Sequence, residues 1–437
     1  MKFLVKDSVI VGMALFAMFF GAGNIIFPPY IGLGAGEAWL TGFLFYFVSD
    51  IGLALLTLYA LLTSGSIDRA EGLMYRLGRV PAALMMGAIV VCLGPLLGLP
   101  RTAATTFAIS IAPLTGGGGL SMAAFTALFF LVVMAFTLRE SKMVEIVGKY
   151  LTPFKFFGLF AIILGGILMP IGPVNEATRL DSVMQTGIMS GYQTMDVLAA
   201  MMFGLVVINA LKAKGHTSSS AKFMSMSIAG LVAAVLLMII YGGLCYLGAT
   251  VSAIYPMDVD RGQLVVLITT GIFGSFGSIM LGVIVSISCL ATAIALAGAT
   301  GTFFSSISGG KLPYNAVVAL VCLFSAVTAN FGLSAIIAFA DPILAIIYPG
   351  ALTVVILSLA WAQFINNTAF KGATFGAMAA SACLVLEGRG LLHLGFTKLL
   401  PLAEYGFGWI MPAAACGLAA ALAGWASSNN KEAGQPI

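Results

Sequence analysis

The chain has 437 residues, of which 60% are hydrophobic and only 8% are charged, and its formal net charge is +4 at neutral pH. Ordinary soluble domains carry about 25% charged residues, so this chain cannot cover itself with a water-soluble surface. At about 20 apolar residues for each membrane-spanning helix, its length allows about twelve spans. The composition therefore predicts an all-α polytopic membrane protein surrounded by a lipid bilayer.

Apolar segments follow one another along the chain and are separated by polar loops. The predicted spans are 8–33, 38–62, 82–112, 120–138, 147–170, 186–211, 223–249, 264–304, 313–330, 333–361, 372–386 and 405–426. The eighth is too long for one tilted helix. Its glycines between Gly271 and Gly277 indicate an amphipathic piece near its start.

Lysines and arginines are concentrated on one side of these predicted spans. With the N-terminus in the cytoplasm, the cytoplasmic side holds Lys2, Lys6, Arg69, Arg76, Arg79, Arg139, Lys142, Lys149, Lys212, Lys214, Lys222, Lys311, Lys371 and Lys431. The opposite side holds only Arg179, Arg261, Arg389 and Lys398. The positive-inside rule then predicts cytoplasmic N- and C-termini and an even number of spans. The excess of basic residues therefore reflects the orientation of the protein in the membrane. It does not indicate a nucleic-acid partner.

The first span is interrupted in its middle. The stretch from Phe19 to Pro29 contains Gly21, Gly23 and Asn24, followed by two prolines. These residues loosen or end a helix, and a broken helix in hydrocarbon leaves N–H and C=O groups that need protein, ion or ligand partners. We therefore interpret this stretch as a candidate binding site at the bilayer midplane.

A second interrupted segment lies five spans later, from Ser190 to Gly204. Because five is an odd number, the second half of the chain enters the membrane from the opposite side. Two broken helices in corresponding positions predict an inverted repeat, with 8–170 as the first repeat, 186–361 as the second and 372–426 as two further helices of a single transmembrane domain, 1–437. The alternative is that both segments are kinked packing helices.

The strings Phe20-Gly21-Ala22-Gly23-Asn24-Ile25-Ile26-Phe27-Pro28-Pro29 and Gly191-Tyr192-Gln193-Thr194-Met195-Asp196 resemble signatures of the bacterial branched-chain amino acid:cation symporters, the BrnQ or LIVCS family. Gly94 to Thr102, Leu151 to Lys155 and Pro401 to Gly406 resemble the same family. The resemblance implies uptake of leucine, isoleucine and valine across the bacterial cytoplasmic membrane, driven by Na⁺ or protons, without a cofactor. It also implies the five-plus-five inverted-repeat (LeuT-like) fold of the amino acid–polyamine–organocation superfamily, with two extra C-terminal helices.

A zwitterionic substrate needs a site for each of its two charges. The half-helix that begins around Gly21, Ala22, Gly23 and Asn24 presents free N–H groups and a positive dipole end to a carboxylate. Asp196, in the middle of a span, could receive the ammonium group, help to hold Na⁺ or carry a proton. Its alternative is a structural partner of Arg101 or of backbone N–H groups. Tyr192 and Thr194 lie beside Asp196 in the chain and could line the pocket.

Sodium ligands are predicted on two helices. Carbonyl groups near Ala17 and Phe20, with the Asn24 amide oxygen, could bind the ion from the first span. The resemblance implies further ligands on the eighth span, where Ser288 (through its carbonyl) and Thr292 occupy the matching turn, although Ala291 lacks the hydroxyl found in relatives. Two alternatives stay open: Asn24 only caps the half-helix, and the hydroxyls bond their own i−4 carbonyls.

Lys155 is the candidate for proton coupling. It opens the fifth span, and its ammonium group could occupy the place of a sodium ion and release a proton to drive transport. The alternative is that it extends to the lipid headgroups. Asp50 and Asp341 also fall in predicted spans without an assigned role, and Arg101 is either an external gate or a partner of one of these acids.

Other functional classes lack their motifs in this sequence. A channel should show a polar ring or a filter loop, and intramembrane proteases of the metallo and serine types need histidines within their spans. His216 and His393 both fall in predicted loops. Asp196 and Asp341 could form an aspartyl dyad only if the fold placed them within hydrogen-bonding reach. The chain also has no G-x-x-x-x-G-K-[ST] motif for ATP. The sequence therefore predicts a secondary transporter and not an enzyme.

Overall fold

The computed structural model of the protein describes residues 2–64, 71–115, 119–138, 152–213, 218–360, 365–395 and 397–432. Within these ranges all regular structure is helical. The α-helices are α1 (Lys2–Phe19), α2 (Ala22–Ala35), α3 (Trp39–Phe47), α4 (Leu53–Thr63), α5 (Arg79–Val91), α6 (Gly98–Thr106), α7 (Ala112–Thr115), α8 (Gly119–Thr137), α9 (Thr152–Leu168), α10 (Val183–Thr194), α11 (Asp196–Ala213), α12 (Ser219–Ala249), α13 (Arg261–Ile307), α14 (Tyr314–Ala329), α15 (Leu333–Ala360), α16 (Asn367–Gly388) and α17 (Ile410–Glu432).

Each predicted span coincides with one helix or with consecutive helices. Among the described residues, six helical stretches are long and apolar enough to cross a membrane, and four further apolar helices have 10–17 residues. The last span begins as an α-helix at Ile410 rather than at position 405, because a 3₁₀ turn (Ala403–Tyr405) precedes it. Several residues named above lie outside the described residues: Arg69, Arg139, Lys142, Lys149, Leu151, Lys214 and His216.

The first and sixth spans are broken where the sequence predicts. The helix α1 ends at Phe19, and Gly21 has extended backbone angles (φ −110°, ψ −160°) before α2 begins. Pro28 lies inside α2 and cannot donate to the Asn24 carbonyl. Between α10 and α11, Met195 adopts a left-handed conformation (φ 70°), which ends α10. A non-glycine residue in this conformation is strained and is common at binding sites.

Three other spans change their helical geometry along their length. The second contains a π-helical turn, Val48–Gly52, between α3 and α4. In the third, a π-helical turn at Cys92–Leu96 contains Pro95, and Gly94 departs from helical angles before α6 begins. The eighth span bends at Gly274 (φ 60°), inside the Gly271–Gly277 segment that the sequence singled out. This position favours glycine because other residues rarely adopt such angles.

Glycine also sets the distance between α2 and α12. A Cβ atom on Gly32 would overlap the Cys245 carbonyl oxygen, and one on Gly248 would overlap the Pro29 carbonyl oxygen. The backbones of the two helices are therefore in direct contact, as small residues allow between membrane helices. Arg179 holds the far end of α2 by donating to the Leu33 carbonyl at 2.9 Å.

The chain forms two compact units. The first comprises 1–55 and 90–339, and it contains both broken helices. The second comprises 56–89 and 340–437. Within the second unit, α16 and α17 pack through Gly372 and Gly376 of α16, which face Cys416 of α17. Arg76 donates to the Ile365 carbonyl at 2.8 Å and lies 4.1 Å from the centroid of the Phe370 ring.

Candidate functional site

The break between α1 and α2 releases one backbone carbonyl in particular. In an unbroken helix the Gly21 N–H would donate to the Ala17 carbonyl, but it donates instead to Asn24 Oδ1 at 3.3 Å. Asn24 therefore caps the half-helix, the alternative role considered for it. The Ala17 carbonyl accepts from Lys155 Nζ at 3.2 Å, so the ammonium group occupies one side of the predicted sodium position.

A polar cluster joins three segments of the first unit. Asn24 Nδ2 donates to Asp196 Oδ2 at 3.0 Å and to Asp50 Oδ2 at 3.3 Å. The Thr194 hydroxyl donates to Asp50 Oδ1 at 2.7 Å. Asn24 is 1%, Asp50 0% and Asp196 4% exposed, so both carboxyl groups depend on these donors. Asp196 thus bonds a side chain of α2, and not Arg101.

Asp50 is the member of this cluster whose role could not be predicted from the sequence. It lies in the π-helical turn Val48–Gly52. This turn approaches α10 closely because Gly191 has no side chain: a Cβ atom there would overlap Ser49 Oγ and lie 3.1 Å from the Asp50 nitrogen. The only sequence indication was an acidic residue inside an apolar span, which is a functional hypothesis by default.

Arg101 approaches the cluster from α6. It donates to the carbonyls of Gln193 and Thr194, the latter at 3.0 Å. These carbonyls lie at the C-terminal end of α10, where the helix dipole is negative and a cation is favoured. Arg101 is 4% exposed, and its Nη2 would lie 3.2 Å from a Cβ atom on Gly23. A glycine at position 23 therefore lets the guanidinium group reach the break.

A small cavity lies at the centre of this arrangement. Its volume is about 30 Å³. It is lined by Met18, Phe19, Gly21, Ala22, Asn24, Leu93, Gly98, Arg101, Thr102, Thr194, Met195, Asp196, Ala199, Phe203, Thr292 and Leu296. Small-molecule pockets usually measure about 300–1,000 Å³, so an amino acid enters only if the lining elements move apart.

Ser288 and Thr292 are the candidate sodium ligands of α13, and Thr292 lies beside the break in the first span. A Cβ atom on Gly21 would lie 3.4 Å from Thr292 Oγ1. Within the described part of the chain, neither Ser288 Oγ nor Thr292 Oγ1 has a hydrogen-bond partner, although both atoms are buried. Thr300 of the same helix does bond its own i−4 carbonyl, that of Leu296, at 2.7 Å. The alternative in which Ser288 and Thr292 make such i−4 bonds is therefore wrong.

The remaining candidate residues differ in how deeply they are buried. Tyr192 is 6% exposed and lies outside the cavity lining. Phe20 is fully buried, and its ring centroid lies 5.9 Å from Lys155 Nζ. Lys155 is 0% exposed, so the alternative in which it extends to the headgroups is wrong. Asp341 is exposed on α15.

Comparison with known proteins identifies the family of this chain. Residues 4–427 match the family model described as branched-chain amino acid transport protein. The chain belongs to this family. It is 38% identical over 427 residues to the branched-chain amino acid permease BraB of Bacillus subtilis, with 93% of each chain covered. It is 32% identical over 415 residues to the permease BrnQ of Salmonella typhimurium, again with 93% of each chain covered. Members are named as permeases or carriers, so the chain is a membrane transport protein and not an enzyme.

Solved structures share the fold of this family member. A Na⁺-coupled sialic acid symporter in a substrate-bound outward-open state matches with a TM-score of 0.55 and 13% identity, covering 95% of this chain and 90% of that one. The nucleobase-cation-symport-1 transporter Mhp1, closed around bromovinylhydantoin, matches with a TM-score of 0.59 and 13% identity, covering 94% and 91%. The predicted fold class is confirmed: an all-α membrane protein with a LeuT-like, five-plus-five inverted-repeat core and two C-terminal helices.

Proposed function

We propose that the protein is a secondary symporter that imports leucine, isoleucine and valine across the bacterial cytoplasmic membrane by alternating access. The observation that carries this proposal is the hydrogen bond of 3.0 Å between Asn24 and Asp196, because it joins the two interrupted helices at one buried point. Broken helices at the repeat interface are where transporters of this kind bind their substrates. Membership of a branched-chain amino acid transport family supports the substrate class.

The two charges of the amino acid have matching groups in the cavity. The N–H groups of Ala22 and Gly23, at the start of α2, favour the carboxylate. Gly21 lines the same place, but its own N–H donates to Asn24 Oδ1. Asp196 offers its carboxylate to the ammonium group, with Thr194 beside it. Tyr192 would contribute to the pocket once the lining elements separate, since it is buried on the turn before Thr194.

Coupling to Na⁺ is the second part of the proposal. The ion would be held by the carbonyls of Ala17 and Phe20, the Asn24 amide oxygen, the Ser288 carbonyl and the Thr292 hydroxyl. The Thr292 hydroxyl supports this set because it is buried beside the break and has no partner among the described residues. Hard cations prefer such oxygen ligands.

One observation favours proton coupling of the same transport instead. Lys155 Nζ lies 3.2 Å from the Ala17 carbonyl oxygen, which the proposed sodium site also needs. An ammonium group in that place supplies the positive charge that Na⁺ would bring. In this alternative, loss and gain of the Lys155 proton replaces release and binding of the ion.

Uptake by proteoliposomes distinguishes these possibilities. Labelled leucine, isoleucine and valine are offered with a sodium gradient and a proton gradient imposed separately. Sodium coupling predicts uptake with the sodium gradient alone, and its loss in Asn24→Ala and Thr292→Ala. Thr300→Ala is the matched control, because the Thr300 hydroxyl is buried on the same helix but bonds its own helix. Uptake driven by the proton gradient alone would support proton coupling through Lys155. If folded protein shows no uptake with either gradient, the symporter proposal is contradicted.

A further inference from the structure

Arg101 carries a buried positive charge that forms no direct ion pair with the described acidic residues. The nearest carboxyl groups, those of Asp50 and Asp196, accept hydrogen bonds from Asn24 and Thr194 and form no ion pair with it. Within the described part of the chain, the guanidinium group donates hydrogen bonds to the backbone carbonyls of Gln193 and Thr194. A buried charge without a direct ion-pair partner is costly, so an anionic group that bonds the guanidinium directly would be stabilised there.

One of the three nitrogen atoms of the Arg101 guanidinium group has no hydrogen-bond partner among the described residues. A guanidinium group has five N–H donors in a fixed plane, and the Nη1 and Nη2 groups make the two backbone contacts. The Nε atom is buried and has no acceptor among the described residues. Arg101 lines the same cavity as Gly21, Ala22 and Asp196. An unsatisfied, charged donor therefore faces the place proposed for the substrate.

We propose that Arg101 binds the carboxylate of the transported amino acid and makes the site selective for molecules that carry one. The inference rests on the proposed function and adds a residue and a chemical requirement to it. The carboxylate would take a charge-assisted hydrogen bond from the guanidinium group together with the N–H groups at the start of α2. Gly23 permits this arrangement, because a side chain there would lie 3.2 Å from Arg101 Nη2.

The cavity then has two oppositely charged ends that match a zwitterion. Arg101 and the positive end of α2 take the carboxylate, and Asp196 takes the ammonium group. A substrate without the carboxylate would leave the Arg101 Nε donor buried and unpaired, and rejection of such analogues is typical of sites with buried polar groups. The aliphatic side chain makes no use of either end.

Binding of three probes by purified protein tests the inference. Equilibrium binding of labelled leucine is measured first, and competition by leucinamide and by 3-methylbutylamine follows, since both keep the ammonium group and lack the carboxylate. We expect wild-type protein to prefer leucine over leucinamide by about 10- to 100-fold, the range for a hydrogen bond to a charged group. Arg101→Gln should weaken the binding of leucine by about this factor. The affinities for both carboxylate-free probes should stay within about twofold of those of the wild-type protein.

A structural role for Arg101 gives a different result. If the side chain only fixes the break between α10 and α11, Arg101→Gln lowers the affinities for leucine, leucinamide and 3-methylbutylamine by the same factor. That result overturns the inference. Arg101→Lys keeps the charge but lacks the planar set of donors. In this variant the ratio of the affinity for leucine to that for leucinamide should be at least about threefold lower than in the wild-type protein. If Arg101→Gln does not fold, an unchanged preference in Arg101→Lys overturns the inference.

Thr106→Val is the control for α6. Thr106 is buried on the same helix, lies outside the cavity lining, and bonds the Thr102 carbonyl of its own helix at 2.8 Å. It should retain the wild-type preference among the three probes. Wild-type protein that is folded and binds no leucine overturns the proposed function itself, a result distinct from leucine binding that does not depend on Arg101.

Discussion

Asn24 gives the polar cluster its geometry because each end of its amide group has a separate task. The oxygen accepts from the Gly21 N–H and starts α2, while the nitrogen donates to Asp50 and Asp196. One short side chain therefore fixes the half-helix and joins it to two other segments. The sequence predicted the importance of Asn24 from the helix break, but the partner Asp50 lies 26 residues away. Such a contact depends on how the helices pack, which apolar periodicity does not encode.

Lys155 provides a test at the residue scale in which stability and transport should respond differently. We expect Lys155→Met to reduce uptake about tenfold or more, equivalent to about 1.4 kcal/mol, because the Ala17 carbonyl loses the group that neutralises this part of the break. The free energy of unfolding should stay unchanged or rise, since methionine fills a similar volume without the cost of burying a charge. Uptake into proteoliposomes and thermal unfolding in detergent measure the two quantities.

The neighbouring substitution Phe154→Leu is the control, because the Phe154 side chain is 50% exposed on the same helix. It should leave uptake close to that of wild type. Undiminished uptake in Lys155→Met would contradict a role for the ammonium group in the transport cycle. A large loss of stability would show instead that Lys155 mainly holds α1 and α9 together.

At the scale of helices, the sequence predicted the spans well because each is a long apolar run that must satisfy its backbone internally. It also predicted both breaks, since glycine, proline and polar residues mark them. It indicated an amphipathic piece at Gly271–Gly277, where the structure has a bend at Gly274. It did not predict the π-helical turn that carries Asp50. Such a turn shifts the helix register by one residue without a proline or glycine at its start, so its cause lies in packing against Gly191.

The contact between α2 and α12 gives a prediction for a pair of helices. Gly32→Ala should lower the free energy of unfolding by about 1–3 kcal/mol, because the new methyl group would overlap the Cys245 carbonyl and force the helices apart. Gly87→Ala is the matched control: Gly87 also lies inside a helix, but a Cβ atom there meets nothing within 4 Å. Alanine should even stabilise that helix by about 0.5–1 kcal/mol.

Thermal unfolding of both variants in the same detergent measures the difference. The α2–α12 contact also predicts that Gly32→Ala lowers leucine uptake, because the position of the half-helix that lines the cavity depends on it. Equal unfolding temperatures for the two variants would mean that the helices adjust without cost. In that case α2 would be free to move independently of α12 during transport.

At the scale of the whole molecule, composition alone predicted a polytopic membrane protein, and family membership and fold agree with that class. The arrangement of the site could not be predicted in the same way, because its residues come from four distant parts of the chain: Asn24, Asp50, Arg101 and Asp196. Each is identifiable as a polar residue inside an apolar span. Which of them bond one another is decided only when the spans are packed.

The orientation of the protein in the membrane is the last prediction, and the loops supply residues that test it. With a cytoplasmic N-terminus, the loop after the fifth span faces outward and the loop after the eighth faces the cytoplasm. Glu176 and Lys311 are exposed in these two loops.

In a background without the six native cysteines, a membrane-impermeant maleimide added to intact cells should label Glu176→Cys and not Lys311→Cys. After lysis it should label both, because the lysine-rich side then becomes accessible. The reverse pattern would invert the topology, and labelling of both in intact cells would mean that the charge difference fails to fix one orientation. The outcome matters for the direction of transport, since it shows on which side of the membrane α13 begins, where the Arg261 guanidinium lies 4.5 Å from the Tyr30 ring centroid of α2. If Glu176 faces outward, these contacts lie on the side from which an imported amino acid must enter.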